Sequence, residues 1–150
     1  MGDLQDIGTD YIDKIRKFIR EVNKNYPIIF GYLFGSRANG TYNSMSDVDI
    51  ALMFEKDYSD TEDIFTRGDI IEIGQKFFKE SIDVVNLKKA PLILKYSIVH
   101  EGIVIKDEGS GQRADFESLT LREYFDFQYY SQYYNGAVIE RIKQGNYFRG

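Results

Sequence analysis

The sequence predicts a single mixed α/β domain over residues 1–150: a small, partly antiparallel sheet flanked by helices and followed by an aromatic-rich C-terminal helix. Short apolar runs of strand length alternate with longer stretches whose apolar residues recur at helical spacing, as in a layered α/β structure. A chain of 150 residues, 43% hydrophobic and 29% charged, is enough for one core and is not the composition of a disordered segment. Aromatic residues reach 15%, many of them near the C-terminus.

The elements follow in order. Thr9 or Asp10 can cap a helix whose Tyr11, Ile12, Ile15, Phe18, Ile19 and Val22 form one apolar face, ended by Lys24, Asn25 and Pro27. Ile28 to Phe34 reads as a buried strand that stops at Gly35-Ser36, and Arg37 to Tyr42 as a short helix or turn. Val48 to Phe54 is a second strand. Asp60 to Lys79 has helical pattern, weakened by Gly68 and Gly74. Ser81 to Leu87 is a third strand, interrupted by Asp83. Pro91 opens a helix at its favoured first position, Gly102 closes it, and Ile103 to Ile105 forms a short fourth strand. The polar run KDEGSGQRAD fits a surface linker before a last helix from Phe116 to Arg141.

The chemistry centres on Phe34 to Met53, FGSRANGTYNSMSDVDIALM, where Gly35-Ser36, a gap of ten residues and Asp47-Val48-Asp49 follow one another. In an extended chain, residues i and i+2 point to the same face, so Asp47 and Asp49 stand side by side and repel unless a cation lies between them. Hard oxygen donors without His or Cys suit Mg²⁺, which takes one or two carboxylates plus substrate phosphates. Gly35 lets backbone approach a ligand closely, Ser36 begins a turn whose N–H groups suit an anion, and Arg37 adds positive charge. The plainer alternative is a glycine turn followed by a strand with two solvated aspartates.

GSRANG, the ten-residue gap and SDVDIAL resemble the signature of the DNA polymerase β-type nucleotidyltransferase superfamily, in particular its minimal nucleotidyltransferase (MNT) branch. That branch is similar to the kanamycin nucleotidyltransferase domain and includes the antitoxins of HEPN/MNT toxin–antitoxin pairs. The segment LKYSIVHEGIVIKDE resembles those antitoxins as well. The resemblance implies the nucleotidyltransferase fold, with Asp47, Asp49 and Asp83 as the catalytic, metal-binding carboxylates and Gly35, Ser36 and Arg37 as nucleotide-binding residues. It implies Mg²⁺ as cofactor, ATP as donor, and as acceptor a tyrosine hydroxyl of a cognate HEPN-domain ribonuclease, which AMP transfer silences. For Asp83 the residues alone also allow an aspartate facing water at a strand edge.

Composition narrows the rest. No cysteine is present and His100 is the only histidine, which removes disulfides, Cys/His zinc sites and a cysteine nucleophile. A Ser-His-Asp triad would have to use His100, in a helical stretch far from any nucleophile signal. A net charge of −5 gives no footprint for a nucleic-acid backbone, while one nucleotide is still permitted where metal and local basic residues neutralise it. No signal-length or membrane-length apolar run occurs, so the expected location is cytoplasmic without membrane contact.

The C-terminal helix, about residues 114–145, carries Tyr129, Tyr130, Tyr133 and Tyr134 on more than one side. Two expectations follow: a wide buried face within the monomer, or an element that docks the HEPN toxin in a hetero-oligomer. Two further functions remain open, an antitoxin acting by occlusion without catalysis and a small-molecule transferase of the aminoglycoside type.

Overall fold

A computed structural model describes residues 9–40 and 47–143, so Tyr42, the last residues of the C-terminal helix expected to reach 145, and most of the ten-residue gap lie outside the described residues. The chain runs α1 (Thr9–Asn25), β1 (Ile28–Phe34), α2 (Ser36–Asn39), β2 (Val48–Phe54), α3 (Asp60–Gly74), β3 (Ile82–Asn86), α4 (Leu92–Glu101), β4 (Ile103–Asp107) and α5 (Gln112–Lys143). Four strands form one sheet in the order β3-β2-β1-β4. β1 is antiparallel to β2 and β4, whereas β2 and β3 are parallel and joined through α3. The partly antiparallel sheet and flanking helices are those expected.

Alternation along the strands divides the core into two layers. Val48, Ile50, Leu52 and Phe54 of β2, with Ile82 and Val84 of β3, face α1 and α3, where Ile15, Phe18, Val22 and Ile70 are buried. Ala51 and Leu87 face the other way with Phe30 and Tyr32, under Ile98 of α4 and Phe116 of α5. A bulge at Ile28/Phe30 adds a residue to β1. Ile28 thereby stays in the first layer while both Ile29 and Phe30 join the second.

Two boundaries differ from the sequence expectation. α3 begins as expected, held by a reciprocal cap in which Ser59 Oγ accepts from Glu62 N at 3.2 Å and Glu62 Oε1 accepts from Ser59 N at 3.0 Å. It ends at Gly74 and not at Lys79. At Gly74 the backbone approaches β3 so closely that any Cβ would overlap Ile82, and the chain then turns to bury Phe78 against Phe18, ring centroids 5.6 Å apart. The expected polar linker is largely structured: Lys106 and Asp107 belong to β4, and α5 starts at Gln112. Arg113 fixes that start, its Nε donating to Asp107 Oδ2 at 2.7 Å and its Nη1 to Glu117 Oε1 at 2.8 Å. Buried Tyr32 donates its hydroxyl to the same Glu117 oxygen at 2.6 Å, tying α5 to the middle of β1. Burial and the Glu117 carboxylate push the Tyr32 hydroxyl pKa far up, so it stays a donor.

Candidate active site

The glycine turn and the aspartates come together at one end of the sheet because of strand register. Phe34, the last residue of β1, pairs with Asp49, and Asp49 pairs in parallel with Asp83. Gly35 therefore lies against the Asp49 carboxylate. A Cβ on Gly35 would overlap Asp49 Oδ2, and the backbone there has φ 73° and ψ −155°, a region almost reserved for glycine. Ser36 follows as the first residue of a single helical turn, half-buried, with Ala38 N bonded to Gly35 O at 3.1 Å.

Asp49 is half-buried, while Asp47 and Asp83 are exposed at the rim. Asp49 lies on the same face of β2 as Ala51, and Asp83 on the same face of β3 as Val85 and Leu87, the face that α4 and α5 cover farther along. Burial raises the pKa of the Asp49 carboxyl, and the neighbouring charges of Asp83 and Asp47 raise it further. Mutual repulsion among carboxylates gathered at one edge is what a cation would relieve. An all-oxygen donor set fits Mg²⁺, although among the described residues no three acidic, His or Cys side chains close into a metal cage.

Arg37 is placed differently from a charge open to phosphates. Its side chain is only 8% exposed, with Nη2 3.4 Å from Glu80 Oε1 and the guanidinium carbon 5.3 Å from the centre of the Tyr11 ring. It ties the turn to α1 and to the segment leading into β3. Breaking a buried pair leaves the partner's charge uncompensated, so Arg37→Ala should lower unfolding free energy by about 3 kcal/mol in urea titrations. An unchanged midpoint beside a raised KM for ATP would instead put the guanidinium on the nucleotide.

A second group had no signal as a site in the sequence. Asp63 of α3 and Asn86 of β3 are both buried; Asn86 Nδ2 donates to Asp63 Oδ1 at 2.8 Å, and Arg67 Nε donates to Asp63 Oδ2 at 3.0 Å. Asn86 Oδ1 also accepts from Lys88 N at 3.0 Å. This lock fixes α3 to β3 and so holds the strand that presents Asp83. Asp63 reads in the sequence as an ordinary first-turn acid of a helix.

The fold, with a glycine turn and three aspartates at one end of a small mixed sheet, is that of a small α/β transferase domain. The profile described as "Polymerase beta, Nucleotidyltransferase" matches residues 14–110, and the chain belongs to that family. It is similar to the protein adenylyltransferase MntA of Shewanella oneidensis, with 31% identity over 90 residues; that stretch spans 60% of this chain and 60% of the length of MntA. Among solved structures it resembles a toxin–antitoxin crystal structure with AMP-PNP, at a TM-score of 0.67 and 23% identity over 85% of this chain and 98% of the other. It also resembles a complex of tri-AMPylated Shewanella oneidensis HEPN toxin with MNT antitoxin, at a TM-score of 0.61 and 22% identity over 85% and 95% of the two chains. The nucleotidyltransferase fold implied by the sequence signature is present. No helix among the described residues is long and apolar enough to cross a membrane.

Proposed function

We propose that this protein is a Mg²⁺-dependent adenylyltransferase antitoxin, moving AMP from ATP to a tyrosine hydroxyl of a cognate HEPN ribonuclease and thereby silencing it. The observation that carries this reading is the register placing Gly35 against Asp49 and Asp49 beside Asp83. Likeness to MntA and to the toxin–antitoxin complexes supports the donor and the partner.

Asp47, Asp49 and Asp83 would hold the metal, which when bound neutralises triphosphate charge and acidifies the attacking hydroxyl. Gly35 keeps the backbone low enough for phosphate to approach, and Ser36 offers its hydroxyl and the turn's amides to the β- and γ-phosphates. Arg37, held by Glu80, acts as a positioning residue behind that turn. Exposed Asp83, on the outer strand of the sheet, leaves the acceptor an open approach. The acceptor oxygen bonds to the α-phosphorus, the bond to the bridging oxygen breaks, pyrophosphate departs with the electron pair, and the hydroxyl proton passes to Asp83 or to water. Orientation and charge placement supply most of the rate.

ATP dependence separates catalysis from occlusion. With a cognate HEPN ribonuclease as substrate, sub-stoichiometric amounts of the protein should silence ribonuclease activity only when Mg²⁺ and ATP are present. Silencing that needs equimolar protein and no ATP would favour occlusion.

A further inference from the structure

We infer that the distal half of α5, from Phe125 onward, is the surface on which the protein partner seats, and that the proximal half is the fixed base from which it projects. This rests on the proposed HEPN partnership and assigns the place of contact.

The helix divides sharply. Up to Tyr124 it belongs to the body: Arg113 and Glu117 join the Tyr32 and Asp107 network, Phe116 meets Phe30 with centroids 5.4 Å apart, Thr120 is buried, and Tyr124 stacks on Tyr96 of α4 at 3.5 Å. Beyond it, the inward stripe of positions 113, 117, 120 and 124 continues through Phe127 and Tyr134, and both are exposed. The other sides are no better covered: Tyr129 and Tyr130 are each 68% exposed and Tyr133 75%. Among the described residues little lies behind this segment, where Ser131 alone of the stripe is half-buried, so it gains little from tertiary contact, and isolated helices of such length are marginal in water. Six large aromatics within ten positions are therefore kept at a cost that a covering partner would offset.

Position and chemistry select the occupant. α4 and α5 lie on the sheet face that carries Asp49 and Asp83, so a partner on the projecting part of α5 is held on the catalytic side. Between Phe125 and Tyr134 the only charged residue is Asp126. That segment suits a largely uncharged protein face contacted through tyrosine rings and hydroxyls, as at the centres of protein interfaces, and is unsuited to a polyanion. A protein that is itself the acceptor is such an occupant, and a tri-AMPylated HEPN toxin is the partner in a complex with an MNT antitoxin that this chain resembles.

The test compares the parent with Tyr129→Glu/Tyr133→Glu and with the milder Tyr129→Gln/Tyr133→Gln. Titration calorimetry against the purified HEPN protein reads affinity, a free tyrosine-derived acceptor reads the active site, and thermal melts read folding. Both variants should melt like the parent and keep nucleotide turnover on the free acceptor, while the Glu variant binds the HEPN protein at least about thirtyfold more weakly. Parent-like affinity in both variants overturns the assignment. So does unfolding of both, which would make the segment part of the monomer's core, or a change from dimer to monomer without partner, which would make it a self-association surface. Failure of the parent itself to bind or modify the HEPN protein refutes the partnership and not merely the place of contact.

Discussion

Gly35→Ala should nearly abolish nucleotide transfer, by about a hundredfold or more, and also destabilise the protein by about 2 kcal/mol. Two physical effects combine. The backbone at φ 73° and ψ −155° is strained for any residue with a side chain, and the new methyl would occupy the place of Asp49 Oδ2. The carboxylate must swing away or the turn must rise, and either breaks the apposition of the Gly35 turn and the Asp49 carboxylate. Steady-state kinetics beside urea unfolding reads both effects. Near-parental kcat in this variant would show that Gly35 and Asp49 need not touch for the reaction.

Asp49→Asn should cost at least as much activity, because it removes a charge from the proposed metal and phosphate locus, yet the same substitution should stabilise the metal-free protein. A carboxyl whose folded pKa is raised binds its proton more tightly in the folded chain than in the unfolded one. Stability of the metal-free protein therefore falls as pH rises from the ordinary 3.8 through the raised value. The variant's advantage is present at neutral pH and disappears below the ordinary carboxylate range. Melts in chelator across pH should show this convergence at the acidic end. A variant less stable than the parent at neutral pH would mean that the Asp49 charge is satisfied without a cation.

The placement of these two residues was legible in the sequence because the chemistry proposed for them dictates their neighbours. A phosphate turn needs glycine and a small hydroxyl, a metal edge needs carboxylates two apart, and a fixed gap returns the chain to the adjoining strand. Asp83 was legible as an acid within an apolar run, and the parallel register explains why it belongs beside Asp49. The contacts of Arg37 were not legible because sequence displays a charge and not its orientation; only folding brings Glu80 and Tyr11 to it. The Asp63–Asn86 lock was invisible for a similar reason, since each residue looks ordinary at its own helix start or strand end and acquires meaning from the other. The start of α5 was hidden in a polar run whose Arg113 reads as solvent-facing until Tyr32, Glu117 and Asp107 surround it. Local pattern marks motifs and periodicity, whereas buried polar pairs between distant segments emerge only with the tertiary structure.

Covalent transfer of AMP to a protein hydroxyl is read by the intact mass of the HEPN protein after incubation with this protein, ATP and Mg²⁺. The mass should rise by one or more adenylyl groups, located on a tyrosine, and should not change when Asp49→Asn replaces the parent. An unmodified HEPN protein with the active parent, or the same gain with the Asp49 variant, would contradict it.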